Sequence, residues 1–366
     1  MDESPLVVYL EDCNADSQAL VGGKAVGLGA LLREGLQVPP GFTVTTHAFR
    51  EHVARNRLGP DIERLLGESD QQRICDDIRG LFESSHVSSQ LADEVLGAYE
   101  RLCRGSGSAR PVAIRSSATA EDLADASFAG QQETYLWIIG IDEVLRHLVQ
   151  CWASLYTPQA LAYRAHRNIA SADLAMGVVV QTMVPAVAAG VMLTIDPVNG
   201  DRSAIVIEAA YGLGAAVVNG EVTPDRLCVD KVLLEIRSRS IGAKTIAYRF
   251  DPTVQGTRCE RVFAAQQTQA CLTDVEVIEL AGLGKRMERA MGCAQDMEWA
   301  IGPGQSGPRE VFLLQARPET IWSQKQSAPL SAAGTTVMDR ILQTMVGSPV
   351  TMKGDLGHQL PRWRPS

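Results

Sequence analysis

The sequence contains no C-x-x-C pair. Its eight cysteines stand apart at 13, 75, 103, 151, 228, 259, 271 and 293. That scatter argues against a disulfide framework or a zinc site and points to reduced thiols of the cytosolic kind. Positive charge is also scarce: 34 Lys and Arg stand against 43 Asp and Glu, a net charge of -9. A nucleic-acid surface needs clustered basic residues, so nucleic acid is not an expected partner. A local cationic site for phosphate remains compatible with this balance. The opening residues MDESP are acidic and form no basic-then-apolar leader, so no signal peptide is expected and the cytoplasm is the expected location.

Charge is missing from residues 174–195 as well, a run long enough to span a bilayer. Gln181, Thr182 and Pro185 interrupt it, and it is rich in Val, Gly and Ala. It reads as two buried strands on either side of a Pro-Ala turn, and no membrane association is expected.

Two alternating segments, DMEWAI at 296–301 and VFLLQARP at 311–318, flank a Gly/Pro-rich turn at 302–308. Period-two alternation puts Asp296, Glu298 and Ala300 on one face and Leu313, Gln315 and Arg317 on another. Folding the pair as an antiparallel hairpin, with one residue of slip, sets Glu298 opposite Gln315 and Asp296 opposite Arg317. Carboxylates beside Trp299 and Leu314 are costly to desolvate unless a charge lies between them. A magnesium ion suits carboxylate and amide oxygens, and the planar fork of Arg317 suits a phosphate oxygen. The competing reading is a plain Asp–Arg pair on a solvated face.

The remaining chain reads as a mixture of helices and strands. Residues 7–10 form a short strand, and GGKAVGLG at 22–29 forms a glycine-and-lysine turn leading to a helix at 30–35. Glycines allow close backbone approach to a ligand, and a helix start offers amides to an anion. This is not the nucleotide P-loop, whose lysine follows the last glycine and precedes Ser or Thr. Residues 38–45 read as a proline-set turn entering a strand, and 47–104 as scaffold helices. A buried strand at 112–115 then ends on Arg115 and enters a long run of small residues to Thr134, a composition suited to a flap. Arg115 is placed either for phosphate or for a structural pair with Glu121 or Asp122. Helices follow at 141–169, strands at 205–208, 227–236 and 244–250, and a strongly periodic helix at 274–291. His47, His52, His86, His147 and His166 receive no chemical role.

Several stretches, taken in order, carry a resemblance. They are GGKAVGLG at 22–29, VPPGF at 38–42, AIRSSATAEDLADASFAGQQET at 113–134 and CWASLYT from 151. They continue with GVMLTIDPVNG at 190–200, AAYGLGAAVVNGEVTPD at 209–225, DMEWAI at 296–301 and LLQARPET at 313–320. Together they resemble the amino-terminal nucleotide-binding module of the phosphoenolpyruvate synthase and pyruvate phosphate dikinase family, also found in rifampin phosphotransferase. The resemblance implies an α/β (α+β) chain with the ATP-grasp fold, in which two subdomains close on ATP. The implied division is 1–173 with the phosphate-contacting loops, 174–322 with the adenine strand and magnesium hairpin, and 323–366 as a tail, linker or partner-docking segment. Lys24 and Arg115 would contact phosphates, and Arg317 would steady the transferred group. Asp296, Glu298 and Gln315 would surround magnesium. Gln131 would lie at the nucleotide, and Gln181, Met183 and Val184 along the adenine.

The activity so implied is transfer of the β-phosphoryl of ATP to a histidine, with AMP as product, magnesium and cationic side chains stabilising the charge. The family carries that histidine in a Gly-Gly-x-x-Ser/Thr-x-His type of loop on a swivelling domain. No histidine here has that context, and His358 lies in a polar, proline-rich tail. The expectation is therefore a partner subunit carrying the histidine, as in the divided arrangement of phenylphosphate synthase, with a small final acceptor such as phenol or pyruvate. A self-sufficient ATP-grasp kinase or ligase, and a non-catalytic nucleotide-binding regulatory subunit, are the alternatives.

Overall fold

The computed structural model describes residues 4–105, 107–118, 134–167, 174–251, 253, 256–303 and 309–322. Strands are β1 Val7–Tyr9, β2 Gly41–Val44, β3 Val112–Ala118, β4 Thr134–Ile138 and β5 Met176–Thr182. Then follow β6 Ala188–Leu193, β7 Ala204–Tyr211, β8 Asp225–Asp230, β9 Ile236–Ser240, β10 Ile246–Asp251, β11 Gly256–Arg261, β12 Gln295–Gly302 and β13 Glu310–Pro318. One sheet has the order β1-β2-β5-β3-β4 and a second β13-β12-β6-β7-β8-β9, while β10 and β11 form a separate ribbon. Every pair of neighbours within these sheets is antiparallel, which makes the chain α+β.

The uncharged run at 174–195 shows why two strands can lack polar faces. In β5, Val178 and Val180 join the core of the first sheet while Val179 joins the core of the second, so both faces are buried. Among the described residues no helix is long and apolar enough to cross a membrane. β5 pairs with β2 and β3 and β6 with β7 and β12, so the chain passes from one sheet to the other after Thr182, not at 173. The strand expected to bring adenine contacts to the second subdomain therefore belongs to the first sheet.

Helices Thr46–Arg55, Leu58–Leu66, Gln71–Glu83, Ser89–Cys103 and Ile141–Ala153 contribute to the first core. Three begin on side-chain caps, where Thr45, Asp70 and Ser88 accept from the amides of Ala48, Arg73 and Leu91. On the second sheet, the helix Asp274–Met291 opens with a Thr273–Glu276 capping box and ends at Gly292 with φ 69°. Its Val277, Leu280, Ala281 and Met287 join the core of that sheet.

Several expectations shift. The strand expected to end on Arg115 runs on to Ala118, so Arg115 lies inside β3 and not at its end. The helix begins at Gly23, not Ala30, and runs to Arg33. Its glycines permit packing: a Cβ on Gly27 would lie 2.3 Å from the Ala316 carbonyl oxygen, and one on Gly29 2.1 Å from that of Cys13. Residues 227–236 are not one strand, because Asp230 turns the chain by accepting from the Val232 and Leu233 amides. The strand β11 was not foreseen; its exposed, charged residues give no alternation of apolar faces.

Candidate functional site

The register of β12 and β13 agrees with the sequence reading, Asp296 pairing with Arg317 and Glu298 with Gln315. The expected slip is a bulge between Glu298 and Trp299, after which Trp299 faces Leu313. The turn between the strands lies largely at 304–308, outside the described residues.

Arg115, in β3 of the other sheet, reaches this hairpin. Its Nη2 donates to Glu298 Oε2 at 2.5 Å and to Gln315 Oε1 at 2.8 Å, and its Nη1 donates to the Leu314 carbonyl at 2.9 Å. The carboxylate and amide oxygens of neighbouring strands thus focus on one point. A carboxylate and an amide oxygen so arranged could share a hard cation. Glu121 and Asp122, the alternative partners for Arg115, lie outside the described residues, as does Gln131.

Asp296 is placed differently. Its Oδ2 accepts from Arg317 Nε at 2.9 Å and from Nη2 at 2.7 Å. Burial pushes its carboxyl above the ordinary aspartate value; Arg317 opposes the rise, and Glu298 and Glu319 add to it. It does not line the cavity described next, so its expected role beside magnesium is not what its contacts show; it grips Arg317.

A cavity of about 770 Å³ lies between the sheets. One end gathers Lys24, Arg115, Glu298, Gln315 and Arg317; Leu136, Met183, Val184, Ala189 and Leu213 provide apolar lining, and Gln181 also borders the space. Lys24 sits in the first turn of the helix Gly23–Arg33, whose cap residue Gly22 offers no side chain. Gly22 has φ 77°, and a Cβ there would stand 2.1 Å from the Ser117 carbonyl oxygen. Glycine is therefore required at this crossing. Ser117 secures it, donating from Oγ to the Val21 carbonyl at 3.0 Å.

A model of the pyruvate phosphate dikinase AMP/ATP-binding domain matches residues 18–336. The chain belongs to this family. Phosphoenolpyruvate synthase of Aeropyrum pernix is 39% identical over 355 residues, covering 88% of this chain and 43% of that protein. A rifampicin phosphotransferase of a Streptomyces species is 43% identical over 321 residues, covering 86% of this chain and 36% of that protein. The phosphoenolpyruvate synthase of Pyrococcus furiosus is 34% identical, covering 88% and 44%. The chain spans less than half the length of each of these relatives.

For an AMP/ATP-binding domain, a cavity charged at one end and apolar along its wall matches a ligand with phosphates at one end and a base at the other. Of the residues singled out in the sequence, Lys24, Arg115, Gln181, Met183, Val184, Glu298, Gln315 and Arg317 line it. The main chain beside the expected adenine strand is already engaged: the Thr182 amide donates to Pro40 and the Met183 amide to Pro111. Sequence reasoning missed Leu136 and Leu213, whose only signal is apolar character near a loop. Among the described residues no group of three or more His, Cys, Asp or Glu side chains is placed to hold a metal ion.

Proposed function

We propose that this chain is an ATP-grasp module that binds Mg–ATP between its two sheets and delivers the β-phosphoryl to a histidine on a partner protein. The Glu298–Arg115–Gln315 convergence at the charged end of the cavity carries this reading. Arg115 and Lys24 would bind phosphate oxygens, and Glu298 with Gln315 would hold magnesium. The magnesium, once bound, would neutralise charge on the phosphates. Arg317, held by Asp296, would steady the transferred group. In the transfer the bond from the β-phosphorus to the α–β bridging oxygen breaks, a nitrogen–phosphorus bond forms on histidine, and AMP leaves with that oxygen, so that the histidine carries both the β- and γ-phosphates. Water then cleaves the bond between the γ-phosphorus and the β–γ bridging oxygen, the γ-group leaves as phosphate, and the β-phosphoryl that stays on the histidine passes to a small acceptor such as phenol or pyruvate.

No histidine lines the cavity among the described residues; His47 and His52 lie on the helix Thr46–Arg55 and His147 on Ile141–Ala153. This placement supports an acceptor brought from elsewhere. The test incubates the purified chain with magnesium and ATP labelled at the β-phosphate, with and without a candidate partner carrying a swivelling histidine. The reading predicts AMP release and acid-labile label on the partner, with neither when the partner is omitted. Rapid AMP formation on a small molecule by this chain alone would instead establish a self-sufficient kinase or ligase.

A further inference from the structure

β4 carries an irregularity that places two consecutive side chains on one face. Ile114 faces Tyr135 and Val112 faces Ile138, so Leu136 and Trp137 together oppose Ala113. Trp137 has φ 61°, a conformation rarely adopted by a bulky residue. As a result Tyr135 and Ile138 pack against the first core, while Leu136 and Trp137 both enter a separate cluster with Val184, Ala186, Ala189, Leu213 and Ala300. Leu136 lines the intersheet cavity, whereas Trp137 is not part of its lining.

What holds Trp137 there is the β10–β11 ribbon. Its ring stacks on Phe250 of β10, with centroids 4.2 Å apart and planes inclined by 26°. Trp137 is buried, and its indole nitrogen has no hydrogen-bond partner among the described residues, so ring contact rather than polar bonding fixes its orientation. The ribbon is tied in turn to the second sheet's side of the cavity. The Leu213 amide donates to the Tyr248 carbonyl at 2.9 Å, and Tyr248 Oη donates to Glu221 Oε2 at 2.6 Å.

We propose that the Trp137–Phe250 stack is a clasp: Trp137 is a positioning residue that sets Leu136 against the base of the bound nucleotide, and Phe250 holds Trp137 in place. The proposal rests on the reading of the cavity as an ATP site, with phosphates at the charged end and the base on the apolar wall. It predicts that loss of the clasp weakens recognition of the base without touching the phosphate end.

The test titrates ATP, and separately inorganic tripolyphosphate, each with magnesium, into the wild-type chain and into Phe250→Ala, Phe250→Leu and Phe250→Tyr. The expected result is a rise of about tenfold in the ATP dissociation constant for Phe250→Ala and Phe250→Leu. Tripolyphosphate affinity should stay unchanged, and Phe250→Tyr, which keeps the ring, should restore ATP affinity. Equal weakening of both ligands, or ATP affinity unaltered by loss of the ring, overturns the clasp while leaving the ATP site standing. A wild-type chain that binds no ATP overturns the site and the clasp together.

Discussion

Arg115 Nη2 and Glu298 Oε2 meet at 2.5 Å although their residues stand 183 positions apart and belong to different sheets. Arg115 is largely shielded, its side chain 11% exposed, and its Nε is buried without a partner among the described residues. The pair ties the two sheets together at the charged end of the cavity. It also places the guanidinium and any cation between Glu298 and Gln315 in competition for the same oxygens. Substituting Arg115→Gln should weaken Mg–ATP binding by about tenfold to a hundredfold, the loss of charge-assisted phosphate bonds. The same variant should bind Mn²⁺ without nucleotide more tightly than the wild type, read by electron paramagnetic resonance. Unchanged ATP affinity would remove Arg115 from the phosphate site.

Glu298→Gln keeps an oxygen acceptor for Arg115 but removes the charge that a divalent cation needs. Mn²⁺ affinity in the presence of ATP should fall by about tenfold or more, with the thermal midpoint close to that of the wild type. A metal titration that does not respond to this substitution would place the cation elsewhere.

The pairing of Asp296 with Arg317 predicts a pH dependence. Burial raises the Asp296 carboxyl, so it takes up a proton at higher pH than an ordinary aspartate and its grip on Arg317 weakens as the medium is acidified. ATP affinity of the wild type should therefore decline on acidification before other aspartates titrate. Asp296→Asn cannot titrate and should lack that acid limb. If both proteins show the same limb in calorimetric titrations, Asp296 is not its source.

Much of this hairpin was legible because period-two alternation and a glycine-rich turn fix register almost unaided. The same alternation set Asp296 opposite Arg317, as the register has it, but register alone does not tell a carboxylate that grips its cross-strand arginine from one that turns to a metal. The start of the helix at Gly23 was hidden by glycines, which read as a turn in isolation. Their function depends on carbonyls of Ala316 and Cys13 that only the folded chain brings near. The β4 bulge left no local sign, since Tyr135, Leu136, Trp137 and Ile138 are all apolar or aromatic and show no break in pattern.

Gly27 supplies a test of that helix packing. In Gly27→Ala the new methyl would meet the Ala316 carbonyl, and the helix Gly23–Arg33 must shift from β13. A loss of about 1–3 kcal/mol in unfolding free energy is expected, together with weaker ATP binding as Lys24 moves. Denaturant titration and calorimetry on the same preparation check both. A fully stable variant with normal ATP affinity would contradict the close packing.

His52 gives a stability signature separate from the site. Burial holds its pKa down at about 4, and its Nε2 lies 2.7 Å from Ser85 Oγ. Unfolded histidine binds a proton below about pH 6.5, so between these values the unfolded chain holds the extra proton. The stabilisation is complete above about pH 6.5 and is lost progressively down to about pH 4, amounting to about 3 kcal/mol. His52→Gln should flatten this part of the stability profile in denaturant titrations. A slope identical to wild type would assign the acid sensitivity to other groups.

The central claim is most directly tested by a crystal structure of the chain soaked with Mn²⁺ and a non-hydrolysable ATP analogue, with anomalous scattering locating the metal. The account predicts a peak about 2.1 Å from oxygens of both Glu298 and Gln315, with phosphates reaching Lys24 and Arg115 and the base against Leu136. A metal peak away from Glu298 and Gln315, or a nucleotide bound outside the space between the sheets, would contradict it.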